Sequence, residues 1–389
     1  MTKNQFWHIP QLRTDEDQAK HRKVTWLELF YDLFVVVVIS KLANELVGDI
    51  TVQDMVAYVL LFVPIWWIWI GSTYYNERFE TEGLENRLMF LMLMFPLVGL
   101  AVFVHDALGQ NSAGFALSYV VGRLIITLLW LRASIHVKAF RPVGKIFVLG
   151  FSISIVMFLI SIFVSAEVRY AIVGIALVTD MATPWFTLKE QAKLPRFSTS
   201  KLPERFGLLL IIVLGESVAG VVKGLSETAD LSAMKILIAL IGVILGFTLW
   251  WIYFDFIARR VAKPTIVASI LWSYLHLPLA GGIAAIGASL TNLIQNQNHV
   301  LPGFVQLVAF ESFAVTLISM GFLELTLRRD PKEPTHPKMS PILKIGTGFL
   351  SAFFSLFLKP INSITVLAIL IVLNLIHVGY GFWVWVNRE

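Results

Sequence analysis

The chain has 389 residues, 57% of them apolar and only 15% charged, with a mean hydropathy of +0.75. Soluble chains run nearer about one quarter charged, so a cytosolic enzyme, a disordered chain and a nucleic-acid reader with a basic face are excluded. There is no cysteine, which removes disulfides, thiolate metal sites and cysteine nucleophiles. What remains is an all-α polytopic membrane protein.

A spanning helix needs roughly 20 mostly apolar residues to cross a hydrocarbon core of about 30 Å. Runs of that kind predict twelve spans, at 25–47, 52–75, 87–106, 113–138, 144–165, 168–188, 203–223, 235–261, 266–291, 303–328, 341–358 and 362–387. The fifth, sixth and eleventh are the shortest or most closely spaced and could be hairpins. The tail 1–24 is polar and has no apolar signal core, so the first helix is expected to remain. No connection reaches about 20 polar residues, which leaves no room for a soluble catalytic domain.

Orientation follows from where lysine and arginine fall. With the N-terminus inside, 25 of the 31 basic residues lie in the tail and the cytoplasmic loops. The other side receives only Lys41, Arg169, Lys223, Lys235 and Lys359, and Arg123 stays inside a helix. The expected setting is the bacterial cytoplasmic (inner) membrane, with both termini cytoplasmic. The high isoelectric point, about 9.3, is then mostly a record of topology.

An internal repeat shows at an offset of 184: Trp66-Trp67-Ile68-Trp69 matches Trp250-Trp251-Ile252-Tyr253. With a small shift, Phe95-Pro96-Leu97-Val98-Gly99 matches Leu277-Pro278-Leu279-Ala280-Gly281. Six spans per half is an even number, so the halves enter from the same side as parallel repeats. The predicted organisation is a cytoplasmic tail (1–24), a first six-helix repeat (25–188), a cytoplasmic linker (189–202) and a second six-helix repeat (203–389).

Charges in hydrocarbon cost several kcal/mol, so each intramembrane charge is a functional candidate. The same offset places Asp32 on Glu216, both one to two turns into a helix. Glu28 lies four residues before Asp32 on one face, and Ser217 follows Glu216. Symmetry-related carboxylates suit cation attraction or proton exchange; they suit equally a structural carboxylate paired with arginine. Arg123 lies about as deep as Asp180, and a packing pair is the expectation for those two. Asp255 is expected to be satisfied by Arg259, and His276 and His377 to be core histidines. No ligand-spaced cluster predicts a metal, and no cofactor is expected. Gly215-Glu216-Ser217 has the Gly-x-Ser form of intramembrane serine proteases, but the tripeptide is common, and no P-loop or dinucleotide glycine pattern is present. The chain does not read as an enzyme.

Two stretches carry a resemblance. Trp26-Leu27-Glu28-Leu29-Phe30-Tyr31-Asp32-Leu33 resembles the first-helix signature of the bacterial low temperature requirement protein A (LtrA) family. Glu204-Arg205-Phe206-Gly207-Leu208, with Ile211-Ile212-Val213-Leu214-Gly215-Glu216-Ser217 after it, resembles the second. That likeness covers essentially the whole chain and implies a bacterial inner-membrane protein tied to growth at low temperature, without naming a substrate. The layout is also similar to the lysosomal potassium channel family with two six-helix repeats, whose first helix lines a pore gated by bulky apolar side chains. That similarity implies Val35, Val38 and Ile39 as a constriction beyond Phe30-Tyr31-Asp32. The channel motif has serine before its aspartate where this chain has Tyr31, so potassium selectivity is not implied.

The reading from sequence is a transport protein, channel or carrier, for a small cation or protons between two repeats. Asp32, Glu216, Glu28 and Ser217 would serve the path. The alternative is a non-transporting membrane protein, lipid-binding or scaffold, whose polar residues hold the bundle. Expected partners are membrane lipids and a small cation or proton, with a homo-oligomer as a candidate assembly and no nucleic acid.

Overall fold

The computed structural model describes residues 8–15, 23–79, 83–227, 231–297, 300–330, 333 and 335–387. Much of the expected tail 1–24, with its Lys3, Lys20 and Arg22, lies outside the described residues, as does Arg388. Twelve long helices follow in chain order among those residues. They are α1 (Trp26–Ala43), α2 (Val52–Phe79), α3 (Leu84–Phe103), α4 (Ser112–His136), α5 (Arg141–Ser161) and α6 (Ala166–Ala182). Then come α7 (Lys201–Ser226), α8 (Ala233–Tyr253), α9 (Ile266–Gln295), α10 (Gly303–Thr326), α11 (Met339–Phe357) and α12 (Ser363–Val386). A 3-10 turn (Thr183–Thr187) and one α turn (Leu188–Gln191) prolong α6, and a π turn (Phe254–Ala258) prolongs α8. No strand occurs among the described residues, only two isolated bridges.

Eleven of the twelve helices are long and apolar enough to cross a membrane, which makes this a multi-pass membrane protein. The fifth, sixth and eleventh runs, the least distinct in the sequence, are full-length helices of this kind. The exception is α1, because its 18 residues carry Glu28, Asp32 and Lys41. Helices are the natural answer to such a sequence, since hydrocarbon offers no partner for backbone N–H and C=O groups. Local signals set their starts. Thr51 and Asp54 exchange hydrogen bonds across the first turn of α2. Ser232, Thr265 and Asn362 cap α8, α9 and α12 with their side-chain oxygens. Pro64, Pro96 and Pro278 lie inside α2, α3 and α9, while Pro184 falls where α6 tightens into its 3-10 turn.

The chain divides into two compact units, one of Met1–Leu42 with Val59–Arg205 and one of Ala43–Tyr58 with Phe206–Glu389. The 189–202 linker and the first turn of α7 therefore belong with the first unit, and the α1–α2 connection with the second. In the first unit, α4 packs between α3 and α5, and α5 against α6. An aromatic cluster joins α2, α4 and the start of α5, with the Trp130 ring 5.4 Å from Tyr75, 5.3 Å from Phe140 and 5.3 Å from Phe147. Trp66 and Trp67 are buried, whereas Trp250 and Trp251 of the matching block are more than a third exposed.

In the second unit α9 is the central element: 89% of its most apolar stretch is buried. It packs along α10, which packs along α11. Small residues on α9 permit this enclosure. A Cβ at Gly287 would stand 2.6 Å from the backbone oxygen of Glu216, and one at Gly220 would stand 2.1 Å from the oxygen of Gly287. Thr291 Oγ1 donates to the Gly220 oxygen at 3.0 Å at the same crossing. Because the obstacle is backbone, it cannot move aside as a flexible side chain would. Gly287→Leu is expected to force α7 and α9 apart and lower the unfolding temperature in detergent by several degrees. Gly174→Leu, on open space, should leave it unchanged. Equal unfolding temperatures for the two variants would show that the crossing is not a close contact.

Candidate functional site

Helix α1 opens on a capping box. Thr25 donates through its N–H and Oγ1 to Glu28 Oε2 at 2.9 and 3.0 Å, and the Glu28 N–H donates back to Thr25 Oγ1 at 3.3 Å. The box fixes the Glu28 carboxylate at the helix start, and Asp32 stands one turn further along the same face. Helix α7 opens with the complementary pair, Lys201 and Arg205, also one turn apart. Arg205 forks between the two acids, with Nη1 donating to Glu28 Oε1 at 3.0 Å and Nη2 to Asp32 Oδ1 at 3.1 Å. Lys201 Nζ lies 3.0 Å from Glu28 Oε2. From α2, Trp69 Nε1 donates to Asp32 Oδ1 at 2.8 Å.

All four charged side chains are 3% exposed or less, so water contributes little screening and each charge depends on its partners. Among the described residues two carboxylates face two cations, so these four side chains sum to a formal charge of zero. The Trp69 and Phe90 rings lie 5.9 and 5.8 Å from the guanidinium carbon and wall the cluster with apolar surface. One acceptor is left over: Asp32 Oδ2 is buried with no hydrogen-bond partner among the described residues, and so is Arg205 Nε as a donor. Protonation of Asp32 at that oxygen would remove its negative charge and weaken its bond to Arg205.

In the sequence Glu28 and Asp32 stand out as acids in an apolar run, whereas Arg205 and Lys201 read as part of the cytoplasmic charge bias, with Arg205 also in the second family-like stretch. The available signal was the matched spacing, an acidic i,i+4 pair opening one apolar run and a basic i,i+4 pair opening another. Val35, Val38 and Ile39, further along α1, are fully buried. Glu216 and Ser217 belong to the second unit. Glu216 is half-buried, and Ser217 is buried with no hydrogen-bond partner for its Oγ among the described residues.

The first unit holds a second buried ion pair. Arg123 Nη2 donates to Asp180 Oδ1 at 2.9 Å, and Nε does so at 3.3 Å. Tyr119 Oη and Ser154 Oγ donate to Asp180 Oδ2 at 2.5 and 2.9 Å. The Phe151 ring lies 3.8 Å from the guanidinium carbon. Here both carboxylate oxygens have partners, and that is the difference from Asp32.

In the second unit, Glu324 accepts from Arg260 at 2.9 Å, from Lys344 at 3.0 Å and from Ser340 at 2.8 Å, a cluster that reasoning from sequence did not isolate. His276 is held between Tyr253 Oη at 3.0 Å and the Trp272 carbonyl oxygen at 2.7 Å, and His377 meets Thr347 Oγ1 at 2.8 Å. Asp255 meets Arg259 at 3.0 Å across one helical turn. Among the described residues no group of three or more histidine, aspartate or glutamate side chains could hold a metal ion.

The model of the bacterial low temperature requirement A protein family (LtrA) matches residues 23–378. An uncharacterized protein of Rhizobium meliloti (strain 1021) is 26% identical over 286 residues, which is 69% of this chain and 69% of the relative. No solved structure matches the chain.

The pairing of Arg123 with Asp180 is measurable. Arg123→Met leaves Asp180 buried without its cation and is expected to cost about 3–5 kcal/mol. Arg123→Met combined with Asp180→Leu should recover most of that loss in detergent unfolding. A combined variant as unstable as the sum of the single ones would show that the two residues do not act as a pair.

Proposed function

Because the chain belongs to the bacterial low temperature requirement A family and is a multi-pass membrane protein, we propose that it is a transport protein. In this reading it works as a carrier that exchanges protons at the cluster of Glu28, Asp32, Lys201 and Arg205. The observation that carries the proposal is the unpartnered Asp32 Oδ2 inside a charge-balanced, water-excluded network. A network that served packing alone would have both carboxylate oxygens occupied, as Asp180 does. The four described side chains of the cluster offer a metal cation no net negative charge. A proton needs none, since it can be taken up as the Asp32–Arg205 bond yields.

A carrier fits better than a standing pore. Passage beyond the cluster would meet Val35, Val38 and Ile39, all fully buried, so the helices must separate for anything to pass. Loss of the Asp32–Arg205 bond loosens the first turns of α1 and α7, which supplies a physical link between proton uptake and such a movement. Glu216 and Ser217 are proposed as the counterpart position in a second six-helix repeat. The basic-residue bias supports placement in the bacterial inner membrane with both termini cytoplasmic. A second reading, a non-transporting scaffold or lipid-binding protein, is favoured by the two-to-two charge balance among the described residues, which also suits a permanent packing network.

Flux through the purified chain in liposomes separates the two. Protons would be followed with an entrapped pH-sensitive dye under an imposed voltage, with sodium and potassium in parallel arms. Asp32→Asn is expected to reduce proton flux at least about tenfold. The neutral pair Asp32→Asn with Arg205→Gln should fold and be equally inactive, and Glu216→Gln tests the second half. No flux of any cation from protein that elutes as a single species on gel filtration would leave the scaffold reading.

The absence of native cysteine permits a second test. Val35→Cys and Ile39→Cys should react with a membrane-impermeant thiol reagent while a proton gradient drives turnover, and resist it at rest. Full protection under both conditions would remove this stretch of α1 from the path.

A further inference from the structure

Helices α8, α10 and α12 are alternate passes, so their C-terminal ends emerge on one side of the second unit. The segment after α8 is stitched to the end of α10 by backbone, with Lys263 N–H donating to the Thr326 oxygen at 2.9 Å and Arg328 N–H to the Val261 oxygen at 2.8 Å. Beside this join lies an open cavity of about 1060 Å³. Four arginines line it: Arg259, Arg260, Arg328 and Arg329.

Two of the four are engaged in holding the wall. Arg260 binds Glu324 at 2.9 Å and pairs also with Glu333, and Arg329 donates to the backbone oxygens of Glu333 and Thr335. The side chains of the other two hold no part of the join. Arg259 is 75% exposed and meets Asp255 at 3.0 Å along its own helix. Arg328 is exposed and has no side-chain partner among the described residues. The acids among the described lining residues are Asp255, Asp330 and Glu333, so among them four cations face three anions. Aromatic rings complete the wall, with Phe382 and Trp385 61% and 66% exposed.

We propose that this cavity takes the headgroup of an anionic phospholipid. Arg259 and Arg328 would hold the phosphate by charge-assisted hydrogen bonds, and Phe382 and Trp385 would lie against the glycerol and the upper acyl chains. Basic pockets between helices at the membrane face and aromatic rings at headgroup level are the two ingredients of such recognition. The volume is that of a site for a drug-sized ligand, far more than free phosphate fills, and the exposed rings offer apolar surface that free phosphate cannot use.

Binding of short-chain phosphatidylglycerol to the purified full chain in neutral detergent, read by native mass spectrometry, tests this. Phosphatidylcholine and inorganic phosphate are the comparison ligands. Arg259→Gln with Arg328→Gln should weaken phosphatidylglycerol about tenfold. Arg87→Gln with Lys145→Gln, an equal loss of charge at exposed positions of the first unit, should not. Trp385→Ala keeps every charge and should still weaken the lipid. Equal losses from both charge pairs would mean diffuse attraction and overturn the proposal, as would equal affinity for phosphatidylcholine. Displacement of phosphatidylglycerol by millimolar inorganic phosphate would make it a free-phosphate site and overturn the lipid assignment.

Discussion

An ionised side chain taken out of water must find its compensation within the protein, and hydrocarbon makes that demand absolute. Among the described residues, three local groups of buried charges show how it is met. In the first unit, Arg205 and Lys201 answer Glu28 and Asp32, and Arg123 answers Asp180. In the second unit, Arg260 and Lys344 answer Glu324. Each group ties together elements far apart in sequence, so the polar residues specify which apolar helices become neighbours. Apolar surface alone could not do this among helices that are nearly interchangeable in composition.

The groups differ in how completely they are satisfied. Asp180 has donors on both oxygens, from Arg123, Tyr119 and Ser154, and Glu324 likewise, from Arg260, Lys344 and Ser340. Asp32 uses one oxygen twice, for Arg205 and Trp69, and leaves the other bare. In a low-dielectric setting an unsatisfied acceptor is costly, and a group kept in that state is the natural place to look for chemistry rather than packing. That asymmetry, more than the presence of charge, singles out the start of α1.

Much of the fold was legible in the sequence, because hydrophobic run length is a direct consequence of bilayer thickness. All twelve expected runs correspond to long helices, with boundaries within a few residues for most, as at 303–328 against Gly303–Thr326. The ends that differ most have local causes: the expected 25–47 stops at Ala43 as an α-helix because a 3-10 turn, Asn44–Leu46, takes over. The site was half legible. Glu28 and Asp32 stood out as acids in an apolar run, whereas Lys201 and Arg205 were indistinguishable from the many cations that mark the cytoplasmic side. A cation at a helix start belongs to topology and to packing at once, and only three-dimensional proximity separates the two roles. The Arg123–Asp180 contact could be anticipated because depth along two helices sufficed to match the partners. Glu324, close to a helix end among basic neighbours, gave no such cue.

Glu28 has a double allegiance with a further consequence. The oxygen that approaches Lys201 is the same oxygen that accepts the N–H and hydroxyl of Thr25, so one atom serves both the ion network and the first turn of a helix. Any event that draws Glu28 away from its cations also disturbs the cap, and any fraying of the cap loosens the network. The charge state of the cluster is thereby written into the length of α1, and backbone amide exchange at its first turn becomes a reporter of electrostatics several ångströms away.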